Sequence, residues 1–458
     1  MVMFNPRPVV YLDGGRVQCA TAQLDTAPLA LDGIVVDWGR DDYISHATPA
    51  TAQLALIDRT GTLANRANTR ALIGRPLVLE WEDPANTSTR WRWFAGRVTS
   101  AVAKPHRTGS TLAHSAGRDW VVSITAAAKD ADLGQVMTLP EVWPTQTMLD
   151  RAVKLRALAA PAQIAEFYFY PGSTGVSCWP LDVKGRDLKS LVDEFYMSMG
   201  DTYSYHPNTN VVRHIYRRKY VAPLRLQRLV SDDLVHVTAP AIAYDGQTYP
   251  AASIPGDQAT TEDGIELAPN STVTRVEASW KDRPSGGNDW TSVATAPEGD
   301  QNGRRTVTFT SWIDDGLYLD PVLAEVLARG QEEGSVPKHP PIRWDTRPAG
   351  GFKSVDEARA LVNAAETQGL LTVTGSMFAE WIGRRPVYAI LGGTIEYRGG
   401  WIVTVTVQWH QPTDAQTPIT WPNLDTGLTW RTADYRQLAP DVSWWDMRWL
   451  TNGTVQAP

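Results

Sequence analysis

Residues 33–61 have the sequence GIVVDWGRDDYISHATPATAQLALIDRTG, in which two β-strand patterns flank a polar loop. In the second pattern the side chains alternate, with Ala52, Leu54 and Leu56 on one side and Gln53 and Ala55 on the other. Successive side chains of a strand point to opposite faces, so the alternation predicts a strand with one buried and one solvated face. Similar runs separated by turn-forming residues fill the first third of the chain: VVYL, RPLVLEW, WRWFAGRVTSAV and VVSITAAA. Their spacing predicts a β-barrel or sandwich over residues 1–135.

A helical pattern replaces the β pattern in residues 136–235. TMLDRAVKLRALAAP predicts a helix that ends at Pro161. GRDLKSLVDEFYMSMG predicts a second helix that ends at Gly200 and has one apolar face, formed by Leu188, Leu191, Val192, Phe195 and Met199. TYSYHPNTNVVRHIYRR predicts a hairpin with PNTN as its turn. This segment is therefore predicted to form an α+β domain.

The β pattern returns in residues 236–415. TVTRVEASW and RRTVTFTSW are predicted strands, and the KDRPSGGNDW that follows the first is predicted to be a turn. DPVLAEVLARG predicts a short helix with Asp320 as its cap, Pro321 in its first turn and Gly330 as its stop. SVDEARALVNAAETQG predicts another helix because it begins with an S-x-x-E capping box. The strands LLTVTGSM, RPVYAIL, GTIEYRG and WIVTVTVQWH complete this predicted domain.

The end of the chain, residues 416–458, is rich in tryptophan and lacks periodicity. Its tryptophans are Trp421, Trp430, Trp444, Trp445 and Trp449. A free disordered tail is normally poor in aromatic residues, so we expect this extension to dock either on its own chain or on a neighbouring protein. These five residues are the candidate partner interface.

Composition sets limits on the class of protein. A chain of 458 residues is long enough for two to four domains. No signal peptide and no apolar run long enough to cross a membrane is visible, which predicts synthesis in a reducing cytoplasm. The two cysteines, Cys19 and Cys178, are too few for a disulfide framework or a four-ligand zinc site, and we expect two reduced, buried thiols. The 19 tryptophans indicate large contact surfaces with proteins or sugars.

Patterns that would indicate catalysis or a cofactor are missing from the sequence. The eight histidines are scattered, and no zinc-protease, nucleophile-elbow, phosphate-loop or dinucleotide motif occurs. Paired acids, as glycosidases use, occur at residues 232–233, 314–315 and 332–333, in predicted turns or helix ends. Solvated loop charges are the simpler interpretation of these pairs. The sequence therefore predicts no enzyme, no metal site and no cofactor.

The segment RHIYRRKY, residues 213–220, is the feature that most resembles a nucleic-acid site, because basic and aromatic residues interleave in it. In a strand, Arg213, Ile215, Arg217 and Lys219 would share one face. A solvated hairpin or an ion-paired interface is the favoured interpretation. The net charge of −7 also argues against a protein whose main task is to grip nucleic acid.

The segments LIGRPLVLEW (residues 72–81) and WIGRRPVYAI (residues 381–390) share an Ile-Gly-Arg core followed by proline. Short matches of this kind arise by chance, but both copies are predicted to start a strand that precedes a second Trp- and Val-containing strand. Glycine permits a left-handed turn, and proline suits a position where no ladder donor is needed. Candidate strand-start residues are Gly74, Pro76, Gly383 and Pro386, and the hypothesis is a duplicated β-unit.

The order of these elements carries a family resemblance. GIVVDWGRDDYISHATPATAQLALIDRTG, followed by LIGRPLVLEW and FAGRVTSAV, resembles the N-terminal region of minor tail proteins from phages of actinobacteria. GRDLKSLVDEFYMSMGDTYSYHPNTNVVRHIYRR resembles the middle of phage tail hub (baseplate hub) proteins. The segment from SVDEARALVNAAETQG to WIVTVTVQWH resembles their second tube-like domain. The resemblance spans roughly residues 30–410, and the loops KDRPSGGNDW and APEGDQNG depart from it.

The resemblance implies a fold that is mainly β: two tail-tube-like β-barrel domains, an α+β domain and an irregular Trp-rich C-terminal tail. It implies a homotrimer in the virion tail tip that adapts a sixfold tube to threefold tip proteins and encloses the DNA exit channel. The implied partners are the distal tail or tail tube protein, the tape measure protein and other minor tail proteins, with genomic DNA only in passage. A negative net charge suits such a channel, because basic walls would bind phosphates.

Two other functions stay open at this point. The tryptophans could stack on sugar rings in a receptor-binding or cell-wall-carbohydrate-binding tail protein. The paired acids could belong to a tail-associated cell-wall hydrolase.

Overall fold

The fold is that of a computed structural model. It describes residues 4–19, 29–30, 33–40, 42, 44–58, 60–83, 85–87, 90–105, 120–169, 175–215, 224–229, 234–239, 242–244, 247–249, 252–254, 259–261, 272–282, 289–296, 305–335, 341–348, 350–352, 358, 370–374, 387–409, 450–451 and 454–455. The predicted helix at 354–369 lies outside these residues except for Ala358, and all five tryptophans of the C-terminal extension lie outside them.

The first eight strands build the N-terminal part of a large curled sheet. Their bounds, with the short helix among them, are β1 Arg7–Leu12, β2 Gly15–Cys19, β3 Leu29–Ala30, β4 Ile34–Gly39, β5 Thr48–Asp58, α1 Thr62–Asn68, β6 Pro76–Glu82, β7 Arg90–Pro105 and β8 Trp120–Ala128. The pairings run β1–β6–β7–β8–β5–β3–β2 and return to β1, and β4 pairs with another part of β5. The alternation predicted for β5 is confirmed, because Ala52, Leu54 and Leu56 are buried whereas Gln53 is exposed.

An α+β unit follows the ring of strands. Its elements are β9 Val142–Trp143, β10 Gln146–Thr147, α2 Met148–Leu158, β11 Phe167–Tyr168, β12 Ser177–Cys178, β13 Leu181–Asp182, α3 Leu188–Ser198, β14 Thr202–His206 and β15 Val211–Ile215. Thr147 and Asp150 form a capping box at the start of α2, and Asp187 caps α3. The predicted helices and hairpin are confirmed, and every apolar residue of the predicted α3 face is buried. Burial of one such leucine or phenylalanine stabilises the fold by about 1.5–3 kcal/mol.

A second α+β unit contains a long helix. Six short strands precede it: β16 Leu224–Leu229, β17 Leu234–Ala239, β18 Ile242–Tyr244, β19 Gln247–Tyr249, β20 Ala252–Ile254 and β21 Ala259–Thr261. The unit itself comprises β22 Val273–Lys281, β23 Asp289–Thr295, β24 Arg305–Thr310 and α4 Gly316–Ser335. The predicted limits of α4 were wrong at both ends, since Pro321 and Gly330 lie inside it. Strand β23 was not predicted from the sequence.

The last strands join both parts of the large sheet. They are β25 Ile342–Asp345, β26 Leu370–Thr374, β27 Val387–Tyr397, β28 Trp401–Trp409, β29 Leu450–Thr451 and β30 Thr454–Val455. RPVYAIL and GTIEYRG, predicted as separate strands, form the single strand β27 with an irregular register between Ile390 and Gly392. One edge of β27 pairs with β26 in its first half and with β4 in its second half. Within the residues that the structure describes, the large sheet contains 16 strands and is mostly antiparallel.

One hydrophobic core underlies the ring and the late strands together. Trp401 of β28 lies 5.8 Å from Trp81 and 5.1 Å from Trp93, measured between ring centroids. Its indole N–H donates a hydrogen bond of 2.8 Å to the carbonyl of Pro6. The chain is thus mainly β, with strands from distant segments sharing a core. The division at residues 135, 235 and 415 stays a prediction. None of the helices in the described residues is long and apolar enough to cross a membrane.

Candidate functional site at the junction of the sheet and the two helical units

The loop between β4 and β5 begins at a close approach of two backbones. Gly39 has φ +122°, and a Cβ atom there would lie 2.2 Å from Cα of Gly392 on β27. Gly393 is equally crowded, since its Cβ would lie 1.9 Å from the carbonyl oxygen of Thr404. Only glycine combines a positive φ with so little space. Gly39 therefore lets β4 pair closely with β27 where the loop leaves the sheet, and Gly393 lets β27 pair closely with β28.

Polar contacts tie this loop to both helical units. The Arg40 Nη1 group donates a hydrogen bond of 2.8 Å to Thr202 Oγ1 at the start of β14. Asp42 accepts hydrogen bonds from the backbone of Ile44 and Ser45 and pairs with Arg305 of β24 at 2.5 Å. Burial would raise the pKa of Asp42, but the hydrogen bonds from Ser45 and the Arg305 ion pair lower it on balance. The loop is therefore fixed at both sides.

Ile44 inserts into the core between β22 and α4. It belongs to a cluster that includes Val273 and Val326. A Cβ on Gly330 would lie 2.4 Å from Val273 Cβ and 2.8 Å from Ile44 Cδ1. Gly330 therefore serves close packing of the helix on β22 and on the loop, which corrects its predicted role as a helix stop.

A buried polar cluster lies beside the loop. The ring of His46 is 5.0 Å from the ring of Tyr203, and burial lowers the pKa of His46 to about 4. Tyr203 donates a hydrogen bond of 2.5 Å to Asp193, which also pairs with Lys189 at 2.6 Å. Burial raises the pKa of Tyr203 well above its usual value. Asp193 thus has two donors, and it connects α3 to the hairpin.

Asp130 lies next to this cluster, in the 3-10 helix Lys129–Gln135 that directly follows β8. It is 2% exposed, and its Oδ1 atom has no hydrogen-bond partner within the described part of the chain. Burial raises the pKa of Asp130 to about 7, and the positive charge of Lys189 offsets the effect only in part. Asp130 is therefore poised between its neutral and charged forms near neutral pH.

A cavity of about 50 Å³ opens at the same junction. It is lined by residues of the ring, the loop, the β14–β15 hairpin and β27, which are Val36, Trp38, Gly39, Ala47, Thr48, Ala50, Trp93, Phe94, Ala95, Ala128, Asp130, Ser204, Tyr205, Pro207 and Ile395. The cavity is partly open to solvent. The region where the sheet meets the helical units thus combines close packing with a small cavity that has aromatic and polar walls.

The structure describes two of the four predicted strand-start residues. Gly74 has φ +77°, and its N–H donates a hydrogen bond of 2.8 Å to the carbonyl of Val98. Pro76 is the first residue of β6. Gly383 and Pro386 lie outside the described residues, just before β27. The hypothesis of a duplicated β-unit therefore stays a prediction.

The basic segment begins in the protein interior. Arg213 is buried, and its guanidinium lies 4.7 Å from the centroid of the Tyr168 ring. Arg213 is the one arginine of the segment that the structure describes, and it packs in the interior, so the solvated hairpin favoured from the sequence does not hold at this residue. His206 is also buried, and burial lowers its pKa to about 3, so it stays neutral. Residues 216–220 lie outside the described residues.

The paired acids and the described cysteine have structural partners. Asp314 accepts a hydrogen bond of 2.8 Å from Ser177, and Asp315 accepts one of 2.9 Å from the backbone N–H of Leu317 at the start of α4. Asp232 and Asp233 lie outside the described residues, as do the side chains at 332–333. Cys178 is buried, which raises its pKa to about 12. Within the described ranges, no group of three or more His, Cys, Asp or Glu is placed to hold a metal ion.

Sequence reasoning missed the junction. Gly39 is part of the quoted W-G-R motif, but its partner Gly392 is more than 350 residues away in the chain. Asp130 and Tyr203 carry no local pattern that separates them from surface residues. The pairing of distant segments is what brings these groups together.

Comparison with known proteins finds solved structures of similar fold. No protein-family model and no curated protein sequence matches the chain. The tail protein from Neisseria meningitidis MC58 is 12% identical, with a TM-score of 0.51 over 89% of this chain and 97% of that one. The 43 kDa tail protein of prophage MuSo2 from Shewanella oneidensis is 11% identical, with a TM-score of 0.46 over 89% and 97%. Prophage tail protein gp18 from Listeria monocytogenes EGD-e is 11% identical, with a TM-score of 0.40 over 87% and 94%.

At such low identity these likenesses concern the fold. The chain shares the fold of the Neisseria tail protein along nearly its whole length.

Proposed function

We propose that the chain is a structural component of a phage tail: a hub-type minor tail protein that forms a homotrimer at the tail tip. The observation that carries the proposal is the fold likeness to the Neisseria tail protein, which leaves little of either chain unmatched. In this role the trimer adapts a sixfold tail tube to threefold tip proteins and encloses the channel through which DNA leaves.

Contacts at the junction support this proposal. Strands β4 and β27 pair along the sheet, and the β4–β5 loop reaches both helical units through Arg40, Asp42 and Ile44. Fixed relative positions of sheet and helices suit a subunit that transmits forces within an assembly. No catalytic role is proposed for this junction.

The proposed architecture has two tube-like barrels in each subunit. Three subunits then present six barrels, which is the symmetry that a sixfold tube requires. The ring closed by β1–β8 supports the first barrel, and the sheet around β26–β28 and β16–β17 supports the second.

Imaging of the virion tip is the decisive experiment. The expected result is a threefold ring of this chain between the tail tube and the distal tip proteins. Cross-linking of isolated virions, followed by mass measurement, should give a trimer of this 50.5 kDa chain. A tail tip whose ring contains no copy of the chain would refute the proposal.

The proposed partners are the distal tail or tail tube protein, the tape measure protein and other minor tail proteins. The Trp-rich extension is proposed to contact one of them. Replacing Trp444 and Trp445 together by alanine should weaken co-purification with that partner at least tenfold, as truncation of aromatic hot spots does. Trp290, which is 49% exposed on β23, provides the matched control as Trp290→Ala. Equal loss of co-purification in both variants would contradict the proposal that the extension contacts the partner.

Two assays separate the proposal from its alternatives. Retention of the purified chain on cell wall would favour a carbohydrate-binding tail protein. Clearing in a zymogram would favour a hydrolase. A hub protein should give neither result.

A further inference from the structure

The cavity at the junction has aromatic walls and an acidic group. Trp38, Trp93, Phe94 and Tyr205 contribute the walls, and Asp130 contributes the acid. Trp93 and Phe94 come from β7, Asp130 comes from the 3-10 helix after β8, and Tyr205 comes from the β14–β15 hairpin. The cavity therefore depends on the assembled junction and not on one element.

The acid in this cavity lacks a full set of partners. Asp130 Oδ1 has no hydrogen-bond partner in the described part of the chain. Lys189 acts on it electrostatically, but the Lys189 ammonium is paired with Asp193 at 2.6 Å. The backbone N–H groups of Asp130 and Ala131 hydrogen-bond the carboxylate, so the unpartnered group is the Oδ1 atom alone. A buried carboxyl oxygen without a partner is costly, and a donor that carries a positive charge would relieve the cost most.

The aromatic walls favour the same kind of occupant. The face of an indole or phenol ring attracts a cation through its quadrupole, and the attraction strengthens away from water. The indole N–H groups of Trp38 and Trp93 also have no acceptor among the described residues. These N–H groups can donate hydrogen bonds to a water molecule or a backbone carbonyl that enters with the occupant.

Size limits the occupant to a small group. The cavity of about 50 Å³ is roughly one third of the 150 Å³ that a benzene-binding engineered cavity has. A single ammonium or guanidinium group fits such a space, whereas a sugar ring or a nucleotide does not.

We propose that this cavity binds the cationic head group of an amine or a guanidine, which donates to Asp130 and packs against Trp38, Trp93 and Tyr205. Two sources can supply this group: a lysine or arginine side chain of a partner protein, or a free diamine. The proposal is independent of the tail assignment, because it concerns the isolated full-length chain.

Calorimetric titration of the full chain tests the proposal. Methylguanidinium and methylammonium are the probes, and methylurea is the neutral control of similar size. The expected result is saturable binding of the cations, together with a rise in melting temperature, and no response to methylurea. Acetyl-arginine amide and putrescine then distinguish the two sources, because tighter binding of one of them identifies the source.

Matched variants locate the binding site. Asp130→Asn keeps the shape of the side chain and should weaken cation binding roughly tenfold or more. Asp289→Asn removes an exposed carboxyl on β23 and should leave binding unchanged. Trp38→Ala, at a half-buried position, should also weaken binding and covers the case in which Asp130→Asn fails to fold. Absence of saturation, equal binding of methylurea, or unchanged binding in both cavity variants would overturn the proposal.

Discussion

Replacement of Gly39 by alanine is expected to break the pairing of β4 with β27. The backbone at Gly39 has φ +122°, which costs a residue with a Cβ about 1–2 kcal/mol. The new Cβ would also lie 2.2 Å from Gly392 Cα and 2.6 Å from the Leu391 carbonyl oxygen, and backbone cannot swing away as a side chain can. Overpacking of this kind costs about 1–3 kcal/mol. The free energy of unfolding should therefore fall by roughly 2–5 kcal/mol.

Three other glycines separate the two causes. Gly33 has φ +113° and no atom within 4 Å of a built Cβ, so Gly33→Ala measures backbone strain alone. Gly96 has no positive φ, but its Cβ would lie 2.0 Å from the Ala127 carbonyl oxygen, so Gly96→Ala measures the clash alone. Gly134 has neither problem, and Gly134→Ala should be neutral or slightly stabilising.

Urea unfolding, followed by circular dichroism and by tryptophan fluorescence, provides the measurement. The loss in Gly39→Ala should approach the sum of the losses in Gly33→Ala and Gly96→Ala. The reasoning would be refuted if Gly39→Ala lost no more stability than Gly33→Ala, because the contact with β27 would then carry no energy.

Three further outcomes are expected. The pKa of Asp130 is raised from 3.8 to about 7, so its stabilising contribution is lost as the pH rises to 7. The pKa of His46 is lowered from 6.5 to about 4, so its stabilising contribution is lost as the pH falls to 4. Stability measured by urea unfolding should therefore rise more steeply from pH 4 to 7 in Asp130→Asn than in the wild type, and an unchanged slope would contradict this. Cys178 should resist iodoacetamide at pH 8 until the chain is unfolded, as peptide mass mapping would show, because it is buried and its pKa is about 12. Tyr203→Phe should cost about 1.5–3 kcal/mol in the same unfolding assay, since it removes the 2.5 Å hydrogen bond to Asp193; no loss would mean that water replaces it.

Local sequence patterns were sufficient to predict the elements whose apolar residues all fall on the buried face. The alternation in β5 and the apolar face of α3 could be predicted because each element packs one side against a core. Strand β23 could not, since it lies at the edge of a three-stranded sheet and most of its side chains are exposed. An edge strand lacks the contrast between faces that reveals a strand in sequence.

Glycines show the limit of local reasoning most clearly. Gly200 at the end of α3 and Gly330 inside α4 have the same chemical identity, but Gly200 has φ +68° whereas Gly330 provides space for Val273 and Ile44. The sequence around each residue suggests a helix stop, and only the packing of a distant strand distinguishes them. The candidate site is harder still to predict, because Asp130, Tyr205 and Gly392 meet only through long-range pairing.

Strand β27 has a mechanical consequence. One half of an edge of β27 pairs with β26 and the other half pairs with β4, so two curved parts of the sheet share this strand. A twist of either part of the sheet must bend β27, and the bent strand passes the twist to the other part without a hinge between them. Deformation of one part of the sheet would therefore reach the other part as a change in curvature.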